Sequence, residues 1–121
     1  MKLPKGDQVN PEQIINKLIT YNLKSDHKDG QHKARLFKSK LGITLDNKDI
    51  LVETLIKIAK NNDYIFTQNS QYGQKYVIDF NLTTAKGTSK IRSAWIIRFE
   101  EDYPRLTTCL LYTSDAADDL T

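Results

Sequence analysis

The chain has 121 residues, 27% of them charged, with a formal net charge of +3, enough for one domain with one modest core. A single cysteine excludes an internal disulfide framework and a cysteine-based metal site. No apolar run approaches the roughly 20 residues of a membrane span, and Met1-Lys2-Leu3-Pro4 lacks the apolar core of a signal peptide.

A first helix is expected over 11–21, with Asn10 as its cap, Pro11 at its first position and Gln13 reaching back as in a capping box. Its apolar face is Ile14, Ile15, Leu18 and Ile19. After an Asp29-Gly30 turn, Ala34, Phe37 and Leu41 recur at helical spacing, and Gly42 suits a C-cap. A third helix is expected over 47–61, burying Ile50, Leu51, Leu55, Ile58 and Ala59 and wetting Glu53, Lys57 and Lys60. The period then changes to two. Strands are expected over 64–67, over 76–82 with Tyr76, Ile78, Phe80 and Leu82 on one face, and over 91–99. The last of these sets Ile91, Ser93, Trp95, Ile97 and Phe99 against Arg92, Ala94, Ile96 and Arg98, and a fourth strand begins at Arg105. Helices followed by a meander predict an α+β fold, three N-terminal helices packed on one face of a four-stranded antiparallel sheet. The stripe of Ile14, Leu18, Phe37, Leu51, Leu55 and Ile58 should meet Tyr76, Ile78, Phe80, Trp95 and Ile97, making Trp95 a core residue.

The tail is read separately. Residues 109–119, Cys-Leu-Leu-Tyr-Thr-Ser-Asp-Ala-Ala-Asp-Asp, resemble a translated sequencing-library adapter of the kind that ends fragmentary metagenomic gene predictions. The expectation is a single domain over 1–108 and a non-native tail over 109–121, in which Leu110-Leu111-Tyr112-Thr113 retains strand propensity. Setting aside Asp115, Asp118 and Asp119 raises the charge from +3 to +6. That surplus suits a polyanion such as RNA, or serves solubility alone.

Chemistry concentrates in a basic knot, His27-Lys28-Asp29-Gly30-Gln31-His32-Lys33-Ala34-Arg35. Histidine titrates near neutrality, so His27 and His32 can act as base and acid while Lys33 and Arg35 hold a phosphate. Those are the groups that metal-free RNA cleavage requires. The plainer reading makes His27 a turn cap and Lys33 and Arg35 a solvated helix face. Tyr72 and Lys75 flank a glycine that opens a strand and can meet a base or a phosphate; Arg105 and Thr107 add a cation and a hydroxyl in the last strand. The alternatives are a hairpin loop and the polar face of an edge strand. The chain has no phosphate loop, no zinc spacing and no Gly-x-Ser-x-Gly elbow, so neither cofactor nor metal is expected.

Five signatures in order carry a resemblance: Leu3-Pro4-x-Gly6, His27-x-x-Gly30-x-x-Lys33-Ala34-Arg35-x-Phe37, Tyr72-Gly73-Gln74-x-Tyr76, Arg92-Ser93-x-Trp95-Ile96 and Pro104-Arg105-Leu106-Thr107. Together they resemble a small standalone bacterial family without an assigned function. That family is distantly similar to toxin nuclease modules of the barnase–EndoU–colicin–RelE arrangement. The resemblance implies a toxin-like, RNA-binding module of metal-independent ribonuclease type, with His27, Lys33, Arg35, Lys75 and Arg105 as its working residues; the lack of a membrane span or signal peptide makes a cytoplasmic protein the expectation. Two other readings stand beside it. One is a non-catalytic module binding a small antitoxin or neighbouring-gene protein; the other is an immunity or regulatory protein without chemistry.

Overall fold

A computed structural model describes residues 1–19 and 31–111, with residues 31–33 described by backbone alone. Helix α1 spans Pro11–Lys17, α2 Gln31–Leu36 continuing as a π-type turn over Phe37–Leu41, and α3 Asp49–Asn61. Strands β1 Phe66–Ser70, β2 Gly73–Thr84, β3 Gly87–Arg98 and β4 Arg105–Leu111 follow. They form one antiparallel sheet in the order β1-β2-β3-β4, so the fold is α+β.

The helices begin and end where the local chemistry dictates. Asn10 accepts a hydrogen bond from the Glu12 N–H at 2.9 Å and Pro11 opens α1. The turn after α2 ends at Gly42, whose left-handed φ of 70° closes it. Thr44 and Asn47 form a capping box ahead of α3. Two helical expectations are corrected. Gln13 does not reach back to cap α1; its amide pairs with β4. On α3, Val52 is buried and Ile50 is 41% exposed. At 3.6 residues per turn, Val52 falls inside the stripe of Leu51, Leu55, Ile58 and Ala59, and Ile50 falls outside it.

One buried cluster unites Ile14 and Leu18, Phe37 and Leu41, Leu51, Leu55 and Ile58 with Tyr76, Ile78, Phe80, Ile91, Trp95 and Leu106. These strand residues share the sheet's inner face, in the register that pairs Tyr76 with Trp95 and Trp95 with Leu106. Trp95 is wholly buried and Ile97 partly so. Phe99 leaves the expected face because β3 ends at Arg98; its ring is 73% exposed.

Two irregularities shape the sheet. Where Ala94 pairs with Thr108 and Trp95 with Leu106, Thr107 is an extra residue, a β-bulge that exchanges the faces of β4. Leu106 and Cys109 consequently both point inward although they are three residues apart. The strand continues to Leu111, so residues 109–111 of the tail lie in the ladder. At the other edge, β1 begins at Phe66, two residues later than the pattern suggests. Tyr64 is held instead by its N–H to the Met1 carbonyl (2.9 Å) and by an edge-on contact with Tyr76, ring centroids 5.0 Å apart.

Candidate functional site

The outer face of the sheet alternates with the buried one along the same strands. Its rows place Lys75 beside Ile96 and Ile96 beside Arg105, and Asp79 beside Arg92. Lys90 and Arg98 project from the same side of β3. Five bases therefore share this face with one ladder carboxylate, Asp79. Arg92 makes a two-pronged contact with that carboxylate (2.9 and 3.1 Å), and the Lys90 ammonium stands 3.7 Å from it.

Beyond β3 a second carboxylate organises the connection to β4. Glu101 accepts from the Arg105 Nε through both oxygens at 2.9 and 3.1 Å and from the Tyr103 hydroxyl at 3.3 Å, with the Arg98 Nε 4.0 Å away. The Arg105 guanidinium also lies 5.8 Å from the centre of the Tyr103 ring. Burial alone lowers the Arg105 pKa, but the hydrogen bonds to Glu101 and Tyr103 outweigh it and raise it, so the charge is held firmly. Arg105 and Tyr103 face a recess of about 360 Å³ shared with the cap residue Asn10 and with Glu12, Asn16 and Lys17 of α1. There Gln13 locks helix to strand: its Nε2 donates to the Leu106 carbonyl at 2.9 Å, and the Leu106 N–H donates to its Oε1 at 2.8 Å.

A larger recess, about 520 Å³, opens on the outer face between the β1–β2 turn and the end of β3. Ile96 and Thr107 line it, with Tyr72, Phe99, Arg98 and Glu100 around it. Gly73 makes this junction. Its φ of 154° and its missing side chain let β2 start directly against Ile97, whose carbonyl a Cβ would strike. The Phe99 N–H can then meet the Tyr72 carbonyl at 3.4 Å. Ser70 fixes the turn, its Oγ accepting from the N–H groups of Tyr72 and Gly73 and donating to the Gly73 carbonyl. Ile96 is only 6% exposed although it faces away from the helices.

The structure thus brings Tyr72 and Thr107 to one recess and sets Lys75 in the adjoining row. Arg105 belongs to the α1 recess. Arg35 is exposed on α2, in the helical layer, because the continuation of that helix inserts Phe37 among the inner-face residues. His27 and the side chains of His32 and Lys33 lie outside the described residues. Sequence reasoning missed Phe99, Ile96 and Glu101 as parts of the site; the run Glu100-Glu101-Asp102 was the signal that β3 stops before Phe99. Among the described residues, no group of His, Cys, Asp or Glu side chains could hold a metal ion, and no helix is long and apolar enough to cross a membrane. What the described site can do chemically is bind: it offers cations, rings and an apolar floor.

The model of the family described as Domain of unknown function (DUF6883) matches residues 2–113. The chain belongs to this family. Curated proteins give no match. Among solved structures, the chain is similar to one in the contact-dependent growth inhibition toxin–immunity protein complex from Klebsiella pneumoniae 342. The two share 18% identity and a TM-score of 0.66, over 82% of this chain and 91% of that one. At that identity the likeness shows a common fold. The run Leu3-Pro4-x-Gly6 has a structural account here: Leu3 is buried, and a Cβ on Gly6 would collide with the backbone of Ala59 in α3.

Proposed function

We propose that this domain is a toxin-type module of a toxin–immunity pair that grips RNA on the outer face of its sheet and cleaves it without a metal ion. The observation that carries the reading is the charge of that face, where Lys75, Lys90, Arg92 and Arg98 stand against Asp79 and, at the end of β3, Glu101. Lys75 is exposed and makes no ion pair with any described residue, so it is available to a phosphate. His27 and His32 are the acid–base candidates, one to take the 2′-hydroxyl proton and the other to protonate the leaving 5′-oxygen. Arg35 stands on α2, in the layer opposite that face, so Lys33 and Arg35 are the candidates to steady the phosphorane where the RNA strand passes the β4 edge and reaches the helices. The fold shared with a chain of a toxin–immunity complex fits this reading, which gives the domain a cognate protein partner in the cytoplasm.

The test is induction of the full chain in bacterial cells, wild type beside Lys33→Ala and Lys75→Ala. Growth arrest with RNA decay, relieved by either substitution, is the expected outcome. Purified protein should degrade total RNA in the presence of EDTA. Harmless expression of a folded wild-type chain, with intact RNA in both assays, overturns the reading.

A second reading, a non-catalytic module for a partner protein, draws on a different observation. Strand β1 is a neutral edge without proline or charge; its first residue, Phe66, and the preceding Ile65 are exposed. Loss of binding to a neighbouring-gene protein on Phe66→Lys, with no effect on RNA, would favour it.

A further inference from the structure

We infer that the recess between the β1–β2 turn and the end of β3 is a nucleobase pocket, which directs the domain to unpaired nucleotides of RNA. The inference rests on the RNA reading above and names the part of the substrate that the recess takes. Tyr72 and Phe99 carry it: the two residues are 65% and 73% exposed, and the Phe99 N–H meets the Tyr72 carbonyl, so their rings rise from adjoining points of the backbone. A pair of large rings left in water beside a cavity marks a binding site more than scattered apolar residues do. The volume of about 520 Å³ suits a small planar group. Ile96 supplies an apolar floor, and Thr107 lies alongside it. That hydroxyl is engaged in donating to the Ala94 carbonyl at 2.9 Å, so its lone pairs remain to accept from a base edge.

Charge selects a nucleotide over an apolar peptide. Arg98 lines the recess, Lys75 stands in the row that contains Ile96, and the chain is cationic, while Glu100 offers an acceptor for an exocyclic amino group. Every base has a ring face to stack, so the pocket needs no particular sequence. It does need the base out of a helix, because paired bases bury their faces in the stack.

The experiment uses the full chain and a fluorescently labelled ten-nucleotide single-stranded RNA, with the same sequence as a duplex in parallel, at low salt. Tyr72→Ala and Phe99→Ala, each checked for an unchanged circular dichroism melt, should weaken single-strand binding roughly five- to a hundredfold and duplex binding less than about twofold. Phe99→Trp should keep the affinity, because it keeps a ring to stack. Lys75→Ala should weaken both RNAs alike and lower the salt dependence. Wild-type RNA binding that survives both alanine substitutions overturns the pocket and leaves the RNA reading standing. A wild-type chain that binds neither RNA overturns both. Alanine variants that keep their RNA affinity but lose a co-expressed neighbouring-gene protein assign the recess to a protein and overturn the nucleobase.

Discussion

The two sides of β3 differ in chemistry within single residue steps. On the inner side stand Ile91, Ser93 and Trp95, all wholly buried. The polar atoms there are satisfied: the Trp95 Nε1–H donates to the Ser93 Oγ at 2.9 Å, and that hydroxyl donates to the Ile78 carbonyl at 2.9 Å. On the outer side stand Lys90, Arg92 and Arg98, exposed or half-exposed and partly matched by Asp79 and Glu101. Ile96 is the exception, apolar and buried on the polar side. The inner face holds the fold, and on the outer face Ile96 marks where the solvated surface gives way to the recess.

Substitution on either side tests that division. Trp95→Ala should cost about 3–5 kcal/mol, since it leaves a large cavity that the helices cannot close and strips Ser93 of a partner. Ile96→Ala should cost less, near 2 kcal/mol or below, because the space it vacates joins an open recess instead of an empty void. Urea unfolding of the pair measures the difference. Equal losses would show that the two faces are energetically alike.

Gln13 comes next in size. Its amide serves both the N–H and the carbonyl of Leu106, which is buried. Gln13→Ala leaves two part-buried backbone groups without their partner and should cost about 1–3 kcal/mol. Gln13→Glu sharpens the point: a carboxylate still accepts from the N–H but repels the carbonyl, so it should recover little. Full recovery by Glu would mean that water already serves the Leu106 carbonyl.

Outer-face charge should matter least to stability. Asp79→Asn removes the carboxylate charge shared by the half-exposed Arg92 and Lys90, although Asp79 itself is only 10% exposed, and should cost about 1 kcal/mol, less again at high salt. The same change removes the one acid of the outer ladder, so RNA binding should strengthen while stability barely moves. A large stability loss with unchanged binding would reverse the roles of the two faces.

These contrasts also explain what was legible in the sequence. Alternation along β2 and β3 identified the inner face through Tyr76, Ile78, Phe80, Ile91 and Trp95, because a sheet with one buried side writes a period of two into its strands. Gly42 and Asn10 announced helix ends through local chemistry. The bulge at Thr107 could not be read, since an extra residue in a strand follows from pairing with a distant one. Gln13 looked like a capping residue because its partner, Leu106, is 93 positions away. The recess was hidden for the same reason: Tyr72, Ile96 and Thr107 come from three separate segments, and the pairing of β2, β3 and β4 brings them together.

The smallest effect at neutral pH is expected at Tyr76, and it grows only in alkali. Burial, and then the neighbouring Tyr64, raise the Tyr76 pKa above its ordinary value of 10.0. The folded protein therefore keeps the hydroxyl protonated where the unfolded chain, at about 10, already gives the proton up. The unfolded state then binds fewer protons, so stability falls as the pH rises. The contribution is intact below about pH 10 and is lost as the pH climbs through the folded pKa. Tyr76→Phe removes the ionisable group and keeps the ring against Tyr64, so wild type and variant should unfold alike at pH 7. Above about pH 10 the variant should hold its stability better, and urea midpoints measured from pH 8 to pH 11 follow the two curves apart. Parallel curves across that range would show that the hydroxyl reaches solvent, and that the inner face is wet at Tyr76, where β2 passes beneath Tyr64.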